Sequence, residues 1–254
     1  MELRLPVQIA ADYKSSSQRI RVMTEYWVKH SAFCPNCGNV LSSFENNMPV
    51  ADFYCKKCAE EYELKSKNGS VGKTIVDGAY STMIERLNSA NNPNFFFLTY
   101  NKSTLEIRNF LTIPKYFFTP SIIEKRKALS AAARRAGWIG CNIDASNVPE
   151  LGKIFYVQNG IAKSKREVLD KWSKTEFVKD EQNVEAKGWL LDVLICVERI
   201  KKPAFSLDEV YDFEKHLKAK HPSNNNVKAK IRQQLQLLRD KGLIAFVGRG
   251  RYRK

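Results

Sequence analysis

Apolar positions along the chain recur at two different periods, and the change of period marks out its elements. From Ser15 to His30, the residues Ile20, Val22, Met23, Tyr26 and Trp27 fall at helical spacing and predict an amphipathic helix. Glu61 to Lys67 alternates strictly, which predicts a strand with Glu61, Glu63, Lys65 and Lys67 on one face and Tyr62 and Leu64 on the other. Thr74 to Leu87 has a helical pattern that Gly78 weakens. The run Phe95-Phe96-Phe97-Leu98-Thr99-Tyr100 predicts a buried strand, with Leu105 to Ile113 as its partner. A mixed Pro-rich and basic stretch covers Pro114 to Trp138. Lys153 to Gln158 predicts a last strand, ending at the turn signal Asn159-Gly160.

Residues 174–186 are polar and charged, and the pattern changes after them. Gly188 to Ile200, Leu207 to Lys218 and Val227 to Lys241 each carry apolar residues at helical spacing. Phe246 to Lys254 reads as a hairpin with four basic residues and no acidic one. Three helices followed by a basic β-wing predict a winged helix-turn-helix domain over residues 184–254, behind a first domain of residues 1–183. The recognition helix is expected at Val227 to Arg239, exposing Lys228, Lys230, Arg232, Gln233 and Gln236, with Arg249 and Arg251 in the wing. Gln pairs bidentately with adenine and Arg with guanine in the major groove, which points to DNA reading. The same pattern also fits a helical protein-protein module with a basic surface.

Composition sharpens this picture. The chain has 254 residues, 43% apolar, with 14 Phe, 10 Tyr and 4 Trp, so a large core is available and disorder is excluded as a class. The net charge is +15, and residues 184–254 carry +8 of it, from 16 basic and 8 acidic side chains. Such an excess suits a polyanion, because neutralising phosphates releases condensed counterions. No stretch approaches the roughly 18 apolar residues of a membrane span, and Met1-Glu2-Leu3-Arg4-Leu5-Pro6 has no apolar leader core, so a cytoplasmic protein without a membrane partner is expected. In a reducing compartment, cysteines favour metal over disulfides.

The six cysteines bear this out. Cys34-Pro35-Asn36-Cys37 and Cys55-Lys56-Lys57-Cys58 form a C-x2-C-x17-C-x2-C pattern at zinc-ribbon spacing, with Gly38 suited to the knuckle turn. Four thiolates leave no open coordination position, so Cys34, Cys37, Cys55 and Cys58 are expected to hold a structural Zn2+. Cys141 and Cys196 sit in apolar surroundings and are read as buried thiols. Gly72-Lys73-Thr74 looks like the end of a phosphate-binding loop, but Lys67 stands where that motif needs its first glycine.

The strand Glu61 to Lys67 places Glu63 beside Lys65, and a hairpin can bring Asp52 opposite them. Two carboxylates and a lysine can hold a hard divalent cation and orient a water against a phosphodiester. A solvated strand face is the bland alternative. Pro49, Asp52 and Glu63-Leu64-Lys65 resemble the PD-(D/E)xK nuclease motif. Ala132-Ala133-Arg134-Arg135-Ala136-Gly137-Trp138-Ile139-Gly140-Cys141 resembles a segment of restriction endonucleases of that fold. Nearly the whole chain is similar to the methyl-directed restriction endonucleases of the Dpn I type, including Asp52-Phe53-Tyr54-Cys55, Asp77-Gly78-Ala79-Tyr80, the stretch from Asn91 to Tyr100, and the C-terminal helices.

The resemblance implies an α/β mixed sheet of the restriction-endonuclease type and Mg2+-dependent double-strand cleavage of G-A-T-C sites carrying N6-methyladenine. Asp52 and Glu63 are then magnesium ligands, and Lys65 positions or activates the attacking water. Arg134 and Arg135 are expected at the DNA, and Trp138 is the candidate apolar contact for a methyl group. One buried methyl contributes about 0.8 kcal/mol, so two on a palindrome give only about a fifteenfold preference. Reading by both domains would multiply it. A monomer is expected. A methyl-indifferent nuclease and a non-catalytic zinc-ribbon regulator remain the alternatives.

Overall fold

A computed structural model describes residues 1–45, 51–87, 92–181 and 183–254. Pro49 and Asn91 lie outside the described residues. The chain divides into two compact units, Met1–Ala145 with Leu151–Glu176, and Ser146–Glu150 with Phe177–Lys254.

In the first unit, helix α1 (Ser16–Ser31) precedes the short strands β1 (Ser42–Ser43) and β2 (Phe53–Tyr54) and the long strand β3 (Glu61–Asn68). Then come β4 (Thr74–Ala79), helix α2 (Tyr80–Leu87), β5 (Asn94–Tyr100), β6 (Ile107–Ile113), β7 (Ile123–Lys125), β8 (Gly140–Asp144), β9 (Ile154–Gln158), β10 (Ile161–Ala162) and helix α3 (Lys165–Ser173). Seven strands form a mixed sheet in the order β1-β2-β3-β5-β6-β9-β10. Among the described residues only β3 and β5 pair in parallel there, with Glu63 beside Phe95 and Lys65 beside Phe97. Strands β4, β8 and β7 make a separate antiparallel sheet.

Every residue of β5 is buried, as its unbroken apolar run requires of a central strand. Phe96 stacks on Tyr62 and packs against Phe110, whose ring meets the edge of Trp27 from α1. Each such aromatic contributes on the order of 2 kcal/mol by burial. Helix α1 buries Met23, Thr24, Trp27 and Val28, a stripe rotated from the predicted one. Tyr26 is exposed and stacks on His30 one turn later instead.

The helix predicted from Thr74 is corrected: β-branched Thr74, Ile75 and Val76 pair with β8, and the helix starts only at Tyr80. Gly78 sits at a register shift between Asp77 and Ala79. Asn159 and Gly160 both have positive φ, as a two-residue hairpin between β9 and β10 requires.

The second unit contains α4 (Phe177–Asp180), α5 (Val184–Arg199), β11 (Ala204–Ser206), α6 (Leu207–Tyr211), α7 (Glu214–Lys220), α8 (Val227–Asp240), β12 (Ala245–Gly248) and β13 (Arg251–Arg253). The expected helix Leu207 to Lys218 is broken into α6 and α7 around Asp212 and Phe213. A Ser206–Glu209 capping box starts α6, and the Asn183 side chain caps α5. Helix α8 buries Val227, Ile231, Gln234, Leu235 and Leu238. The strand order β11-β13-β12 forms the wing. No described helix is long and apolar enough to cross a membrane.

Candidate active site and metal centre

The two cysteine knuckles fold alike. In each, the first cysteine's N–H bonds to the carbonyl five residues on (Cys34 to Asn39, Cys55 to Glu60), and the residue after the second cysteine bonds back (Gly38 to Cys34, Ala59 to Cys55). Gly38 and Ala59 occupy this same position, and both have positive φ. At Gly38 a side chain would also meet Lys165 at 2.7 Å.

The four sulfurs lie within 4.8 Å of one another, with Cys34–Cys58 at 3.4 Å and Cys37–Cys55 at 3.5 Å. A tetrahedral ion with 2.3 Å bonds to sulfur needs S···S edges of about 3.8 Å, so the cage fits zinc. The Cys34 sulfur is also 3.2 Å from the Tyr62 hydroxyl. Burial would raise the Cys55 thiol, but the N–H groups of Cys58 and Lys57 outweigh it and hold it below the usual range.

Three residues before Cys55, Asp52 begins the charged cluster, which continues on the neighbouring β3. β2 pairs with β3 through Phe53–Tyr62, and the Asp52 N–H continues the ladder to the Tyr62 carbonyl at 2.9 Å. That register sets Asp52 across from Glu63. The Asp52 Oδ2 accepts the Leu64 N–H at 2.6 Å, and its second oxygen has no partner among the described residues. Glu63 Oε1 accepts from Lys65 Nζ at 2.6 Å, and Glu63 Oε2 from Arg86 of α2 at 3.2 Å. The Lys65 ammonium also pairs with Asp77 of β4.

Burial raises the Glu63 carboxyl above its ordinary range, against the pull of Lys65 and with a push from Asp77. Burial would lower Lys65, but Glu63 and Asp77 together raise it, so it stays an ammonium. Asp52, Glu63 and Lys65 line a cleft of about 770 Å³ whose opposite wall is α1, with Arg19 and Arg21, and whose far end carries Lys102. Hard carboxylate oxygens beside a lysine are a donor set for a divalent cation such as Mg2+.

Asp77 and Arg86 were not among the expected site residues. A strand reading of Thr74 to Ala79 would have put Ile75 and Asp77 on one inward face, and a carboxylate on a buried face is a site signal.

The remaining expected residues fall in two places. Arg134 and Arg135 are exposed in the loop after β7, which Leu129–Trp138 backbone bonds close. The Arg135 guanidinium lies 4.7 Å above the Trp138 ring, and that ring crosses Gly140, where a Cβ would meet it at 2.8 Å. Trp138 is thus half-buried rather than core. In the second unit, Lys228, Arg232, Gln233 and Gln236 are exposed on α8, while Lys230 is only partly so. Arg232 donates to the Tyr211 hydroxyl at 2.7 Å, and Lys228 lies over the same ring. Arg249 and Arg251 are exposed in the wing. Cys141 and Cys196 are both fully buried, and burial holds the Cys141 thiol up at about 11.

A mixed α/β unit bearing a four-cysteine cage and a carboxylate-lysine cleft, joined in one chain to a basic winged helix, defines a DNA-processing protein with a separate reading domain. The DpnI model, described as the Dam-replacing family, matches residues 1–181, and the Dam-replacing HTH domain model matches residues 185–254. The chain belongs to the Dam-replacing family and is a restriction nuclease of the DpnI type with a C-terminal winged-helix domain.

Proposed function

We propose that this protein cuts both strands of DNA at G-A-T-C sites carrying N6-methyladenine, with Mg2+ held by Asp52 and Glu63 on a PD-(D/E)xK core. The observation that carries the reading is the convergence of Asp52, Glu63 and Lys65 at the β2–β3 edge, beside a cleft, in a DpnI-type chain. A bound magnesium ion supplies charge stabilisation at the phosphodiester and an acidified water. Lys65, kept an ammonium by two carboxylates, holds one proton toward the attacking water or a phosphate oxygen. Asp52 is oriented by the Leu64 N–H, which fixes its other oxygen relative to Glu63. The arginines lining the α1 side of the cleft suit the flanking phosphates.

Zinc in the cysteine cage ties β2 to the preceding knuckle and so holds Asp52 in place. One zinc per chain is the expected result of elemental analysis on purified protein, and Cys55→Ser should lower stability as well as activity. Methyl reading is assigned to Trp138 in the first unit and to α8, with Arg232, Gln233 and Gln236, in the second, and the protein acts as a monomer. The deciding experiment digests matched methylated and unmethylated plasmids with and without Mg2+. Cutting confined to methylated DNA with Mg2+ supports the reading, and equal cutting of both plasmids would replace it with a methyl-indifferent nuclease.

A further inference from the structure

The Lys65 ammonium has three N–H donors. One goes to Glu63 Oε1, and the ammonium is also ion-paired with Asp77 Oδ1. Held between these two carboxylates, the ammonium has a set position at the cleft wall and still has N–H capacity to spare. Glu63 is shared between Lys65, Arg86 and the proposed cation, whereas Asp77 is ion-paired with Lys65 alone among the described residues. Asp77 is placed for this by its strand: β4 belongs to the small antiparallel sheet, and the bulge at Gly78 follows immediately. Its side chain is 4% exposed, and Lys65 is its sole ion-pair partner among the described residues. A carboxylate buried that far from water persists only if paired, so the Asp77–Lys65 contact is a fixed one.

We propose that Asp77 is a positioning residue for the cleavage reaction: it fixes the Lys65 ammonium at the cleft wall so that its free N–H faces the reacting phosphate. It touches neither substrate nor cation and acts through Lys65. This rests on the nuclease reading above.

The test compares wild type, Asp77→Asn, Lys65→Met and the double variant on methylated G-A-T-C duplex in single-turnover cleavage with Mg2+. Asp77→Asn should lower the rate constant about a hundredfold while leaving KM within about twofold, because misplacing a reacting group costs the chemical step rather than binding. In the Lys65→Met background, the same substitution should have no further effect, since the group through which it acts is gone. An effect of Asp77→Asn that persists in full in the Lys65→Met background means a merely structural role and overturns the proposal, as does a rate within about twofold of wild type. Should Asp77→Asn fail to fold, Asp77→Glu carries the test. It keeps the pair but moves the ammonium by one methylene, so a reduced rate with KM held supports the proposal, and a wild-type rate overturns it. A wild type that leaves the duplex intact overturns the nuclease reading and this inference together.

Discussion

Each unit of the molecule buries a cluster of charges, and the two clusters are built to opposite ends. In the second unit, Asp192 of α5 accepts from Lys220 Nζ at 2.5 Å on one oxygen and from His221 Nε2 at 2.9 Å on the other. Both oxygens are filled, and the His221 ring stacks on Trp189 at 4.0 Å. In the first unit, Glu63, Lys65, Asp77 and Arg86 are also paired, yet among the described residues Lys65 keeps N–H capacity to spare and the neighbouring Asp52 has one oxygen without a partner, both against a cleft. A closed cluster pins elements together; an open one has valences left for chemistry. The carboxyl groups register the difference. Burial lifts Glu63 above its ordinary range. At Asp192, burial pushes the same way, but the His221 hydrogen bond and Lys220 overcome it and hold the carboxyl low.

The sharpest way to break this comparison is Glu63→Gln. Cleavage of methylated duplex should fall by about 10³-fold or more, because an acceptor for the cation and a partner of Lys65 are both lost. Stability should stay within about 1 kcal/mol, since the variant removes a carboxylate that burial already disfavours. A folded Glu63→Gln protein that cuts normally would move the chemistry elsewhere.

Asp192→Asn should do the reverse. Removing one partner of a buried pair leaves Lys220 and His221 facing a neutral group, a cost of about 3 kcal/mol in the second unit. The cleavage rate at saturating DNA should hold. Chemical denaturation followed by tryptophan fluorescence, alongside the cleavage assay, reads both quantities, and an Asp192→Asn protein as stable as wild type would mean the closed cluster pins nothing.

Acid distinguishes the clusters without mutation. Because the folded Asp192 carboxyl is held below its ordinary value, its contribution is complete at neutral pH and is lost as pH falls from about 5 through and below the folded value. Glu63 is shifted the other way, so in metal-free protein its penalty is present at neutral pH and disappears on acidification. Amide exchange measured along a descending pH series should therefore show α5 and α7 losing protection before β3 and β5. Simultaneous loss would show that neither shift governs acid unfolding.

How much of this was legible in the sequence depends on period. Glu63 and Lys65 sit in a strand that alternates without interruption, so their shared face was readable, and a hairpin from the adjacent Phe53-Tyr54 was enough to bring Asp52 opposite them. The four-cysteine cage was readable from the C-x2-C spacing, which brings the two knuckles together. Asp77 was lost because Thr74 to Leu87 spans a strand and a helix, and one period was read across both. Strands β7 and β8 pair across the loop between Lys125 and Gly140, and partners so short and so separated leave no local periodicity. Nothing local marks Asp192 within its helix, because its partners Lys220 and His221 come from α7 and the residue after it.

The smallest expected effect tests what holds the closed cluster. Trp189 is buried, and its indole N–H has no hydrogen-bond partner among the described residues. An unmet buried donor costs about 1–3 kcal/mol. Trp189→Phe removes that donor but also removes ring area that packs in the core and stacks on His221, at a cost of similar size. The two terms oppose, so the net change in stability should be within about 1 kcal/mol, well short of the loss expected for Asp192→Asn. The ranking matters more than either value. If the closed cluster is held by its ion pairs, His221 keeps its place against Asp192 whichever ring lies beneath it. If the stack holds it, Trp189→Phe destabilises as much as Asp192→Asn, and the double variant costs no more than either single one. Equilibrium denaturation of the three variants separates these outcomes, and only the second would remove the contrast between a cluster closed by charge and one left open for chemistry.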